Sequence, residues 1–130
     1  MKDIIKERIL VLDGALGTMI QQYGLTEADF RGEEFKNHPV KLEGNNDILV
    51  LTRPDIISNI HRQYLEAGAD IIETCTFNSQ AISQTEYQTT DFVYRINLEA
   101  ARLARQEADR MMALTPDKPR FVAGSVGPTA

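Results

Sequence analysis

The stretch RILVLDGALGTMI, residues 8–20, runs apolar, stops at an acid and a glycine, and then takes up helix-like spacing. An apolar run closed by Asp13-Gly14 suits a strand buried on both faces. Two later stretches read the same way. ADIIETCTF (69–77) follows a glycine, and RFVAGSVGP (120–128) follows a proline-rich turn. Between the runs lie helical patterns. Pro54 fits a first helical turn, Ile57, Ile60 and Tyr64 recur at helical spacing, and Gly68 is placed to end the helix. From Phe92 to Leu114, Val93, Ile96, Ala100, Leu103, Ala104, Ala108 and Met111 form one stripe, with the charges elsewhere. That is an amphipathic helix lying on a surface.

Strand, helix, strand, helix, strand predicts an α/β fold with parallel strands and right-handed crossovers. Two architectures use this order, the open doubly wound sheet and the closed (β/α)8 TIM barrel. A barrel takes roughly 250 residues, so the 130 residues here hold about three βα units. The last strand reaches GSVGPTA with no helix after it. The expectation is therefore an N-terminal fragment, residues 1–130, of a larger domain. The segment 24–53 is long for a connection. Its apolar piece, ILVL, reads as a short strand or a packed loop.

Composition narrows the classes of function. Hydrophobic residues make up 42% and the formal net charge is −5, with no basic stripe. That gives no electrostatic footprint for nucleic acid or an anionic membrane. No apolar run approaches the roughly 20 residues of a membrane span, and MKDIIKERIL lacks the apolar core of a secretory signal. A single cysteine, Cys75, fits a reducing compartment, so a cytoplasmic protein is expected.

Ligands in parallel α/β folds sit at the carboxyl ends of the strands. Here those ends are Asp13-Gly14-Ala15, Thr74-Cys75-Thr76-Phe77, and Ser125 with Gly127. GALG matches neither GxGxxG nor a P-loop. A zwitterionic amino acid would need an anion beside its ammonium group, which Asp13 supplies, and N–H donors beside its carboxylate, which the glycine-rich backbone opening a helix supplies. The plainer reading is that Asp13 caps that helix or makes a turn.

ILVLDGALGTMIQ, ADFRGEEF, GNNDILVLTRPDII, EAGADIIETCTFNS and VAGSVGPT together resemble the N-terminal homocysteine-binding module of cobalamin-dependent methionine synthases, from about Arg8 to Thr129. The DG turn, the AGAD strand entry and the TxTF strand end are shared more widely among homocysteine S-methyltransferases, including betaine-dependent ones. ADFRGEEF and GNNDILVLTRPD are closer to the cobalamin-dependent type.

The resemblance implies a (β/α)8 barrel that binds homocysteine, with zinc held by three cysteines and joined by the substrate thiol. The zinc-bound thiolate then takes the methyl group of methylcobalamin, and folate-binding and cobalamin modules belong to the same full-length chain. It assigns the substrate ammonium to Asp13, with the backbone of Gly14 and Ala15 beside it. Thr74, Thr76 and Ser125 join them as candidate substrate-binding residues. Alternation places Ile72, Thr74 and Thr76 on one face of their strand and Ile71, Glu73, Cys75 and Phe77 on the other. The threonine face is the one expected to line the barrel, and Glu73 is the reserve candidate for the ammonium.

No metal site is expected in this segment, because Cys75, His38 and His61 lack ligand spacing and Cys75 is not at a zinc position of the family. It reads as a small, half-buried strand residue, and no cofactor is expected on the fragment itself. The alternatives are a methyltransferase using betaine or S-methylmethionine, a non-catalytic structural or binding segment, and a phosphate-binding aldolase- or isomerase-type barrel.

Overall fold

Two parallel strands, β1 (Ile71–Glu73) and β2 (Phe121–Ala123), pair in register Ile71–Phe121, Ile72–Val122 and Glu73–Ala123. In the computed structural model, which describes residues 1–129, the first apolar run lies on the other side of β1. It forms a parallel bridge from Leu12 to Ile71, and the Asp13 N–H donates to the Ile71 carbonyl at 2.9 Å. The spatial order thus follows the chain. All three strands are shorter than the apolar runs predict. The run 8–14 contributes only a bridge, at Leu12. The other two end at Glu73 and Ala123, and the residues that follow, Thr74, Thr76 and Ser125, line the pocket described below.

The helices are α1 (Leu16–Gln21), α2 (Glu27–Arg31), α3 (Leu49–Thr52), α4 (Pro54–Glu66), α5 (Ala81–Thr85) and α6 (Val93–Leu114). Proline occupies the first position of α4. Its end is a Schellman motif. Gly68, at φ +111°, lets its own N–H reach the Leu65 carbonyl and that of Ala69 reach the Tyr64 carbonyl. Along α6, the predicted stripe is buried at Ile96, Ala100, Ala104, Ala108 and Met111. Three alanines let α4 approach closely, and α6 carries the helix packing behind the sheet.

Ile72 packs with Leu65, Ala69, Ala104, Ala108 and Met111, with Val122 beside them. This corrects the expected facing of the strand. Ile72 points to the helices, so alternation puts Ile71 and Glu73 on the opposite, open face. The threonines escape the alternation because the chain has left strand geometry by Thr74.

The long segment 24–53 builds nearly half of the second apolar cluster, through Phe30, Phe35, Leu42 and Ile48–Val50 packed on Ile56, Ile57, Ile60 and Ile96. Its ILVL piece is neither strand nor loop. A 3₁₀ turn over Asn46–Ile48 runs directly into α3. Thr26 and Asp29 form a capping box that starts α2. Among the described residues no helix is long and apolar enough to cross a membrane.

One buried acid ties the first run to β1. Asp70 accepts the Arg8 fork at 2.8 and 3.0 Å and the Val11 N–H at 2.8 Å. The Arg8 hydrogen bonds hold its carboxyl down to about 2. A carboxyl depressed by folding contributes stability that is present above its unfolded pKa of about 3.9 and is lost as pH falls through its folded value. The melting-temperature gap between wild type and Asp70→Asn is therefore expected to be full at neutral pH and to close between about pH 4 and pH 2. A gap that stays constant down to the lower limit would contradict the pairing.

Candidate functional site

A cavity of about 520 Å3 opens at the carboxyl ends of the strands. All six residues singled out from the sequence line it: Asp13, Gly14 and Ala15 from the first run, Thr74 and Thr76 after β1, and Ser125 after β2.

Asp13 does not cap α1. The N-cap position is Ala15, with no side-chain cap bond. Instead Asp13 Oδ2 accepts the Glu73 N–H across the sheet at 3.0 Å. Its Oδ1 is buried and has no hydrogen-bond partner among the described residues. Burial pushes the carboxyl up to about 6, the Glu73 N–H opposes this, and the charge of Glu73 adds to it. Stored instability of this kind is characteristic of binding groups.

The turn around Asp13 is held from behind. The Tyr64 hydroxyl of α4 donates to the Ala15 carbonyl at 2.9 Å. A Cβ on Gly14 would lie 2.9 Å from that hydroxyl oxygen and 3.1 Å from the ring. A side chain at 14 would therefore have to displace the end of the Tyr64 ring.

The two threonines lace the strand ends together. Thr76 Oγ1 donates to the Ser125 carbonyl at 2.8 Å, Thr74 Oγ1 bonds Thr76 Oγ1 at 2.7 Å, and the Ser125 N–H donates to Thr74 Oγ1 at 3.1 Å. Donation by Thr76 leaves the Thr74 proton to bridge the pair. Both hydroxyl protons are committed, so the threonines shape the wall of the cavity.

Cys75 is neither half-buried nor in a strand. It is 3% exposed and belongs to the apolar cluster under the cavity. Its Sγ lies 3.7 Å from both the Asn46 carbonyl and Asp47 Oδ1, and burial pushes the thiol well above its ordinary range. His38 Nε2 is bonded to the Tyr87 carbonyl at 2.7 Å, and His61 is buried on α4, with its pKa lowered to about 4 by desolvation. Among the described residues no three His, Cys, Asp or Glu side chains converge on a metal position.

Zinc, implied by the family, does not fit this donor set: the one thiol is protonated and engaged, and both imidazoles lie on other elements. The chain on its own is expected to keep well under one equivalent of zinc after dialysis, by elemental analysis. One full equivalent, lost in Cys75→Ser, would contradict this assignment.

Sequence reasoning missed Asn46 and Asp47, which line the same cavity. They follow Gly44 and Asn45 in a polar, turn-rich part of the 24–53 connection. Burial of Asn45 and Asp47 could not be seen without the fold.

A family model described as homocysteine S-methyltransferase matches residues 10–130. The chain belongs to the homocysteine S-methyltransferase family. Among solved structures it resembles the homocysteine methyltransferase MmuM from Escherichia coli. Against the metallated form the TM-score is 0.74 with 22% identity, over 97% of this chain and 40% of that one. Against the oxidised form the TM-score is 0.74 with 24% identity, over 95% of this chain and 39% of that one. At such identity the likeness concerns the fold, and the chain spans about 40% of the length of those proteins.

Proposed function

We propose that this chain forms the first part of a (β/α)8 barrel that binds homocysteine and transfers a methyl group to its sulfur, giving methionine. Family membership supports this, as do strands in chain order with α4 and α6 packed behind them. The observation that carries the site is the partnerless Asp13 Oδ1 at the strand ends. An ammonium group there would gain a charge-assisted hydrogen bond and relieve a buried orphan acceptor. The backbone of Gly14 and Ala15 lies beside it, and Thr74, Thr76 and Ser125 form the remaining wall.

Zinc, when bound, supplies a stabilised thiolate at neutral pH. The three cysteines of the family's zinc site are not among these residues, since the sequence has one. What this chain contributes is recognition of the amino-acid end of the substrate. ADFRGEEF and GNNDILVLTRPD favour methylcobalamin as the donor, with cobalamin- and folate-binding modules in the same full-length protein. S-methylmethionine or betaine is the second reading, supported by the DG turn, the AGAD strand entry and the TxTF strand end, which homocysteine S-methyltransferases share more widely. The lone cysteine favours a cytoplasmic setting.

Titrating the full-length protein with homocysteine by calorimetry tests the proposal. Saturable one-to-one binding supports it, and no binding at millimolar concentration would overturn it. The pH dependence carries a further expectation. The Asp13 carboxylate is charged above about 6. Its contribution is full at neutral pH and falls as the group protonates. The ratio of wild-type to Asp13→Asn affinity cancels the thiol's own titration. That ratio is expected to be largest above pH 7 and to shrink steadily below the Asp13 pKa. A ratio independent of pH would contradict the assignment.

A further inference from the structure

One carboxylate lining the cavity is engaged by the protein itself. Asp47, 4% exposed, belongs to the 3₁₀ turn before α3. Its Oδ2 accepts the Asn78 N–H at 2.7 Å and the Ser79 hydroxyl at 2.7 Å, and its Oδ1 lies 3.7 Å from Cys75 Sγ. All three donors belong to the loop that leaves β1.

The same loop is gripped a second time. Gln84 of α5 donates to the Asn78 carbonyl at 3.0 Å and exchanges hydrogen bonds with buried Asn45 at 2.9 and 3.2 Å. Thr89 Oγ1 donates to the Gln84 side-chain oxygen at 2.6 Å. Both backbone groups of Asn78 are therefore fixed from the 45–47 turn, directly by Asp47 and through Gln84 by Asn45. Thr76, Phe77 and Asn78 form one wall of the cavity that Asp13 lines. Among the described residues no cation is paired with Asp47 and only the donors of the loop hold it, so its burial is costly.

We infer that Asp47 is a positioning residue for the substrate pocket, fixing the 75–79 loop so that its wall is preformed before homocysteine enters. The inference rests on reading that cavity as the homocysteine site. It gives the long 24–53 segment a task beyond connection, since the segment contains the turn that clamps the loop.

The test uses Asp47→Leu and Asp47→Asn in the full-length protein. Leucine fills the volume and removes every acceptor. Asparagine keeps one oxygen for Asn78 and Ser79. Two quantities are measured: the dissociation constant for homocysteine, and amide exchange at Asn78 and at Ile60 in the apolar cluster. In Asp47→Leu, homocysteine binding is expected to weaken and Asn78 exchange to accelerate, each by about tenfold or more, as expected for a lost hydrogen-bond network. Ile60 exchange should hold. Asp47→Asn should restore both to within about threefold of wild type, because its remaining oxygen serves both donors.

If Asp47→Leu does not fold, Ser79→Ala removes one of the bonds and should shift both readouts in the same direction by a smaller factor. Affinity within about twofold of wild type in folded Asp47→Leu would overturn the inference, since that is no more than a few tenths of a kcal/mol. So would Asn78 and Ile60 accelerating together, which marks a role in the whole fold. If the wild type itself fails to bind homocysteine, the proposed function falls, and the exchange pattern alone then decides for or against the clamp.

Discussion

Asp13→Asn in the full-length protein is expected to lower homocysteine affinity by about one to two orders of magnitude, the worth of a charge-assisted hydrogen bond of roughly 1.5–3 kcal/mol. The substitution keeps the shape and one acceptor oxygen, which still serves the Glu73 N–H. It removes the negative charge and turns the partnerless oxygen into a donor facing an ammonium. Metal content should not change. Stability should move the opposite way. Folding raises the Asp13 pKa to about 6, so the folded chain binds the extra proton between the unfolded value and that one. Ionised Asp13 thus destabilises the fold at neutral pH, and the asparagine variant should melt no lower than wild type, and higher if the charge alone is responsible. Weaker binding with undiminished stability is the signature of a binding group. A variant that loses both would make Asp13 a structural residue.

Gly127→Ala is the other large effect. A Cβ there would overlap the Phe77 carbonyl oxygen and sit 3.1 Å from the Phe77 ring, while the Gly127 N–H donates to that same carbonyl. The obstacle is backbone, so the two loops after β1 and β2 must part. Overpacking of this kind costs about 1–3 kcal/mol, and here it also displaces Thr76 and Ser125 across the cavity. Gly124→Ala is the control in this chain, since its Cβ would meet nothing within 4 Å. A lowered denaturation midpoint is expected for position 127 and little change for position 124. Equal midpoints for the two variants would contradict the contact.

Periodicity is why the helices were legible. The stripe from Ile96 to Met111 and the Pro54 to Gly68 frame are local signals, and α4 and α6 form where they predict. The strands were legible as apolar runs bounded by turn residues, but their lengths were not. Pairing is non-local, and the run 8–14 finds a partner only around Leu12. The facing of β1 was misread for a related reason. Alternation assigns Ile72 and the threonines to one face only if the strand continues past Glu73, and it stops there.

The cavity was half legible. Asp13, Thr74, Thr76 and Ser125 stand at strand ends, where the topology alone directs attention. Asp47 and Asn45 stand in a connection, and their burial comes from packing against residues some 30 to 40 positions away. ILVL was ambiguous because a short apolar run lacks the length to separate strand from helix.

The proposed contact between Asp13 and the substrate ammonium carries the assignment of the homocysteine site. A double-mutant cycle reaches it directly, using homocysteine and its deaminated analogue, 4-sulfanylbutanoic acid, on wild type and on Asp13→Asn in the full-length protein. The two ligands share the thiol and the carboxylate, so metal and backbone contacts cancel. Wild type is expected to prefer homocysteine by about one to two orders of magnitude, with the preference collapsing to within about threefold in the variant. An undiminished preference in Asp13→Asn would contradict the account and send the search for the ammonium partner to Glu73.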